Sequence, residues 1–137
     1  MGFARTPHSD DQFRELMWDG AREFGQLIAQ GGEWDSFARN LFYVQGDLSV
    51  HEHCASLRER LEEIEGDLRT ANRLFYLSIA PQLYEEAVET LAAVGLAAED
   101  TGWRRVVIEK PIGSDLASAR ALNEAVREVF DERQVYR

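Results

Sequence analysis

The chain has 137 residues, 45% of them hydrophobic, and a net charge of −10. That length allows one compact core but not two full domains, and no apolar run approaches the ~20 residues of a membrane helix. So acidic a chain lacks the cationic surface on which nucleic-acid affinity rests, and any anion it binds must be held by a few local cations against the overall field.

Gly2-Phe3-Ala4-Arg5 reads as the end of a strand and its exit turn. Ser9-Asp10-Asp11-Gln12 fits a capping box that opens a helix. Phe13, Leu16, Met17, Phe24, Leu27 and Ile28 recur at helical spacing, and Gly31-Gly32 is expected to stop that helix. Trp34 to Asn40 reads as a short helical turn, and Leu41 to Val44 as an aromatic strand ending near Gly46-Asp47. A second capping box, Ser49-Val50-His51-Glu52, starts a helix with Leu57, Leu61, Ile64 and Leu68 as its apolar stripe. Arg73 to Ala80 is the next strand, closed by Pro81. A helix follows from Leu83 to Val94, with Glu85 and Glu86 in the first turn, where the helix dipole favours negative charge. Arg105 to Glu109 is a third strand. Asp115 caps a last helix whose face carries Leu116, Ala119, Leu122, Val126 and Val129, and Gln134 to Arg137 begins something extended.

Strand and helix alternate with short connections, the pattern of crossover units around a parallel sheet. Strand-like sequence opens and closes the chain without a complete strand at either end, which reads as a piece of a larger α/β domain. A sheet lacking its first strand exposes unpaired backbone, so the isolated piece is expected to be marginally stable or to associate.

In open parallel sheets, ligands bind beyond the carboxyl ends of the strands. Two of those ends carry cations: Arg5, and Lys110 in Glu109-Lys110-Pro111. Lys110 is the only lysine among fifteen basic residues. An ammonium offers three donors to several oxygens, whereas a guanidinium grips phosphate with a planar fork. Either cation could equally be an ordinary solvated surface charge. Pro111 fixes the exit of the backbone and Gly113 permits a turn. His51-Glu52-His53-Cys54 has the composition of a metal site, but residues two apart on a helix do not share a face, and a solvated surface is expected. Glu62, Glu63 and Glu65 read as a solvated helix face, Trp18 and Trp103 as packing residues, and Cys54 as inert packing. Glu109 either orders the Lys110 loop or faces water. A single cysteine cannot close an internal disulfide, which suits a reducing cytoplasm.

Five stretches, in order, resemble the cofactor-binding domain of the glucose-6-phosphate dehydrogenase family: GFAR (Gly2 to Arg5), FARNLFYVQGDL (Phe37 to Leu48), RLFYLSIAP (Arg73 to Pro81), GWRRVVIEKPIGSDLASARALN (Gly102 to Asn123) and FDERQVYR (Phe130 to Arg137). The resemblance covers essentially the whole chain. It implies that residues 1–137 form a Rossmann-like α/β domain, a parallel sheet flanked by helices. That domain would be incomplete, without its first strand and glycine-rich loop. It also implies NADP as cofactor and oxidation of glucose 6-phosphate at C1 to 6-phosphogluconolactone, in the pentose phosphate pathway. Arg5 matches the arginine that grips the 2′-phosphate of NADP, Tyr76 a tyrosine of the cofactor pocket, and Lys110 the lysine that touches both substrate and cofactor. Pro111 matches a proline preceded by a cis bond.

The family's phosphate loop, GxxGDL, and its motif with the catalytic histidine, IDHYLGKE, are not in these residues. His8, His51 and His53 do not match that histidine. The resemblance therefore implies a fragment inactive on its own, with subunit association left to the complete enzyme. Two alternatives stand beside this reading: a non-catalytic α/β binding module, and another sugar oxidoreductase group with Glu-Lys-Pro after a strand, the one that includes glucose-fructose oxidoreductase.

Overall fold

The computed structural model describes residues 1–25, 31–66, 70–113 and 115–137. The chain divides into two compact units, Met1–Asp47 and Leu48–Arg137.

In the first unit, strand β1 (Gly2–Ala4) leads to helix α1 (Asp10–Phe24), helix α2 (Gly31–Ala38) and strand β2 (Tyr43–Gln45). The two strands are parallel, with Gly2 opposite Tyr43 and Ala4 opposite Gln45. The first capping box forms as expected. The Ser9 hydroxyl accepts the Gln12 N–H at 3.2 Å, and the Gln12 side chain accepts the Ser9 N–H at 2.8 Å. The Asp10 carboxylate reaches across to accept the Tyr43 N–H at 2.7 Å, tying the helix start to β2. Arg14 donates from Nε to the carbonyls of Ala38 and Leu41, holding the end of α2. Rings supply the remaining packing: Phe13 lies 5.1 Å from Tyr43, and Trp18 lies 4.9 Å from Trp34.

Two expectations shift in this unit. Gly31-Gly32 does not stop α1. That helix ends at Phe24 with Gly25 as its cap, and the glycine pair opens α2 instead. The stripe positions Leu27 and Ile28 lie outside the described residues.

The second unit runs α3 (His51–Glu65), β3 (Arg73–Leu77), α4 (Tyr84–Ala93), β4 (Arg104–Ile108), α5 (Leu116–Val129) and β5 (Val135–Tyr136). Short 3₁₀ turns precede α4 and β5. Its sheet is parallel throughout, in the order β3-β4-β5, so each neighbouring pair is joined by a helical crossover. The core follows from period. Tyr84, Ala87, Val88 and Leu91 recur at helical spacing along α4, and Leu122, Ala125 and Val126 do the same on α5. Arg104, Val106 and Ile108 alternate along β4 and are buried with them. Each buried Val, Leu or Ile contributes roughly 1.5–3 kcal/mol relative to exposure. The opposite face of the sheet stays open at β3, where Leu74 and Tyr76 are exposed.

Arg104 is the charged member of this core. Its guanidinium donates to the carbonyls of Ala71 and Trp103 and to the Thr101 hydroxyl, and burial pushes its pKa down from the usual arginine range. Those acceptors explain how a cation sits beneath a sheet.

The helix expected from Ser49 begins one residue later. Val50 takes the cap position, so the third helical residue is His53 and Glu52 is out of phase for a box. Leu68 lies outside the described residues. The strand from Arg73 closes at Leu77, before Ser78-Ile79-Ala80. Glu65 does not belong to a solvated face: its two oxygens take the Arg73 fork at 2.6 and 2.7 Å, and both side chains are largely buried. Trp103 is exposed rather than packed in the core, with the Arg105 guanidinium 5.4 Å from its ring centre. Leu116, in the first turn of α5, is also exposed, so that helix is buried only from Leu122 onward. Cys54 is fully buried, as expected.

Candidate functional site

The strand ends of each unit present one of the expected cations. In the first unit, β1 ends at Ala4 and the chain turns through Arg5 and Thr6. The Arg5 side chain is exposed and makes no hydrogen bond or ion pair with any described residue. Its backbone, by contrast, is held from β2. The Tyr43 hydroxyl reaches the carbonyls of Ala4 and Thr6, and the Gln45 amide donates to the carbonyl of Arg5.

In the second unit, Tyr76 and Lys110 come from the neighbouring parallel strands β3 and β4. Tyr76 pairs with Val107, and Lys110 follows two residues after the end of β4. Between them stands Glu109. Its carboxylate accepts a hydrogen bond from the Tyr76 hydroxyl, and its backbone carbonyl accepts one from the Tyr84 hydroxyl at 3.2 Å. Glu109 is exposed, and its carboxylate is bound to Tyr76. That bond favours the protonated phenol and raises the Tyr76 pKa, with a smaller contribution from burial. Tyr84 is raised mainly by burial and then by the Glu109 charge.

The Lys110 ammonium is exposed and has no hydrogen bond or ion pair among the described residues. The Lys110–Pro111 bond is cis. Beyond it, Gly113 adopts φ +96°, and a Cβ there would lie 2.6 Å from the Ala119 nitrogen, so both the turn and the close approach of α5 demand glycine. Asp115 caps α5 with Ser118 in a reciprocal box. The Ser118 N–H and then its hydroxyl hold the Asp115 carboxyl below the usual carboxylate range.

Arg5 thus belongs to one compact unit, and Tyr76 and Lys110 to the other. Two surface depressions of the second unit involve none of them. One of about 530 Å³ lies between α3 and the end of α4, and one of about 310 Å³ lies beside Arg127 and Arg133. Sequence reasoning missed Tyr43, Gln45 and Tyr84. The first two sit in an aromatic strand and the third at a helix start, positions that look like packing until the partner carbonyls are located. His51 and His53 are exposed, and no group of three metal-ligating side chains occurs among the described residues. No described helix is long and apolar enough to cross a membrane.

Comparison with known proteins bears on the whole chain. The family described as glucose-6-phosphate dehydrogenase, NAD binding domain, matches residues 1–137. A glucose-6-phosphate 1-dehydrogenase 2 of Mycobacterium tuberculosis is 38% identical over 139 residues, which is 100% of this chain and 27% of that protein. The glucose-6-phosphate 1-dehydrogenase of Bacillus subtilis is 34% identical over 138 residues, again covering 100% of this chain and 27% of the relative. The crystal structure of glucose-6-phosphate 1-dehydrogenase from Mycobacterium avium superposes with a TM-score of 0.79 at 32% identity, over 98% of this chain and 27% of that one. A glucose-6-phosphate dehydrogenase solved with its substrate glucose-6-phosphate gives a TM-score of 0.81 at 27% identity, over 98% of this chain and 28% of that one. The chain therefore spans about a quarter of the length of the relatives it matches. The full-length match also separates the two families that carry Glu-Lys-Pro after a strand. By sequence and by its Rossmann-like α/β fold, the chain belongs to the glucose-6-phosphate dehydrogenase family and corresponds to that family's NAD-binding domain.

Proposed function

We propose that residues 1–137, as part of an NADP-binding domain, contribute to oxidation of glucose 6-phosphate at C1 to 6-phosphogluconolactone. In this reading Arg5 binds the 2′-phosphate of NADP, Tyr76 lines the cofactor pocket, and Lys110 contacts both sugar phosphate and cofactor. The observation that carries the reading is the state of the two cations. Acidic residues outnumber basic ones 25 to 15, yet the cations after β1 and β4 are exposed and engage no carboxylate among the described residues. A guanidinium on a held turn suits a dianionic phosphate, because its fork can meet two oxygens without first breaking an ion pair.

When bound, NADP would supply the acceptor for the hydride leaving sugar C1. Lys110, with three donors on a long stem, would orient the sugar against the cofactor, and Arg5 would select the phosphorylated dinucleotide. Removal of the C1 hydroxyl proton calls for a base of the family's histidine type. Neither that motif nor the glycine-rich phosphate loop occurs among these 137 residues, so the chain alone is expected to bind without turning over. The compartment in this reading is the cytoplasm.

The test uses the tryptophans. Titration of the chain with NADP should quench its fluorescence saturably, and Arg5→Ala and Lys110→Ala should each weaken binding by roughly tenfold, the scale of a lost charge-assisted hydrogen bond. Saturable quenching that ignores both substitutions removes the site assignment. A second reading, a binding module without chemistry, rests on the same two missing motifs. It would prevail if a protein containing this chain together with both motifs bound NADP yet never reduced it with glucose 6-phosphate.

A further inference from the structure

The turn that carries Arg5 is more constrained than a strand exit requires. The Ala4 carbonyl accepts the Gly46 N–H at 2.9 Å, which already ends the ladder. The single proton of the Tyr43 hydroxyl is shared between this carbonyl at 3.0 Å and the Thr6 carbonyl at 2.5 Å. The Arg5 carbonyl accepts from the Gln45 side-chain amide at 3.1 Å. Three consecutive carbonyls are therefore held by two side chains of β2. Those side chains are two residues apart, the spacing that sends both to one face of a strand. Tyr43 is fixed in turn, with Phe13 at 5.1 Å and His8 edge-on at 5.4 Å. The Arg5 side chain takes no part in this clamp. Its backbone is pinned while its guanidinium stays available, which is how a preorganised anion ligand is built.

We infer that Tyr43 and Gln45 are positioning residues for nucleotide selectivity. By clamping residues 4–6 they aim Arg5, and so set the preference for a nucleotide bearing a 2′-phosphate over one without it. The inference rests on reading Arg5 as the 2′-phosphate ligand. Without the clamp, the turn would have to lose backbone freedom each time the phosphate is bound. That penalty falls on the phosphorylated nucleotide alone.

The experiment compares the 137-residue chain with its Tyr43→Phe, Gln45→Ala and Arg5→Ala forms. Each is titrated calorimetrically with adenosine 2′,5′-bisphosphate and with 5′-AMP, and the ³¹P resonance of the 2′-phosphate is followed in parallel. The unaltered chain should prefer the bisphosphate, and Arg5→Ala should abolish that preference. Tyr43→Phe and Gln45→Ala should each reduce it about threefold to tenfold, the effect of one or two lost hydrogen bonds. Both should leave 5′-AMP affinity in place. General loosening would weaken both ligands alike and leave their ratio unchanged, which overturns the inference. If Arg5→Ala removes the preference while both β2 variants keep the full ratio and the same ³¹P shift, the positioning role is wrong and the reading of Arg5 stands. If the unaltered chain shows no preference, or Arg5→Ala retains it, the reading of Arg5 itself fails. Should Tyr43→Phe misfold by circular dichroism, Gln45→Ala carries the test, because that side chain is exposed.

Discussion

Glu109 is the residue on which the second strand-end cluster turns. One carboxylate oxygen takes the Tyr76 hydroxyl and the backbone carbonyl takes Tyr84, so two tyrosines from different elements converge immediately before Lys110. The pairing has a titration signature. A phenol that donates to a carboxylate gives up its proton reluctantly, so the folded Tyr76 pKa stands above the ordinary value near 10. Stability drawn from this bond is therefore complete below that ordinary value and declines as pH climbs from it to the folded one. Glu109→Gln removes the charge and keeps the shape. In a spectrophotometric titration at alkaline pH it should move Tyr76, and to a smaller extent Tyr84, to lower pH, while Tyr43, raised by burial alone, stays where it was. An unchanged titration curve would mean that the Glu109 carboxylate does not govern Tyr76. Little of this was visible in the sequence, because a tyrosine and a glutamate 33 residues apart meet only through the register of β3 with β4.

At the level of elements, local chemistry was legible where a signal sits within one turn. Ser9 with Gln12 is contained in four residues, Asp115 reads as a cap by itself, and both helices start where those residues place them, with Ser118 completing the second box. Ser49 with Glu52 has the same spelling but sits one residue out of phase with a helix that begins at His51. Glu65 reads as a surface charge until β3 brings Arg73 beside it, and Leu116 as a core residue until the buried face is seen to begin at Leu122. The site divides in the same way. Arg5 and Lys110 could be singled out because they follow the carboxyl ends of strands and match motifs of the family, whereas the side chains that hold Arg5 come from a strand nearly forty residues later. The Asp115 cap yields a prediction of its own. Asp115→Ala should lower the melting temperature by roughly 2–8 °C, as expected for a lost N-cap in a domain of this size. Asp115→Asn, which can still accept, should lose less. Because the folded carboxyl titrates below its usual range, its contribution is present above that range and fades as pH falls through the folded value. The gap between Asp115→Ala and the parent should therefore close in acid, and a gap that persists unchanged at low pH would contradict the cap.

Across the whole chain, burial is unevenly shared. In Leu48–Arg137, Val106 and Ile108 lie on a central strand paired on both sides and packed beneath α4 and α5 residues that are themselves buried. In Met1–Asp47, Ala38 is the one buried hydrophobic side chain among the described residues, α1 buries none, and β1 and β2 have only each other to pair with. Local opening costs least where few apolar neighbours must be parted, and a two-stranded pair has an edge on each strand. Hydrogen exchange should therefore separate the two units. The amides of β1 and β2, including Val44, should exchange through opening of their own unit. Those of β4 should wait for a larger unfolding event and outlast them by at least about tenfold, the factor that a difference of 1.4 kcal/mol in opening free energy produces. The same order should appear on heating, with the tilted ring pair of Trp18 and Trp34 separating before the β4 amides become open to exchange. Equal protection of Val44 and Val106 would show that the units open together, and that the stability of the Arg5 turn comes from more than the packing within Met1–Asp47.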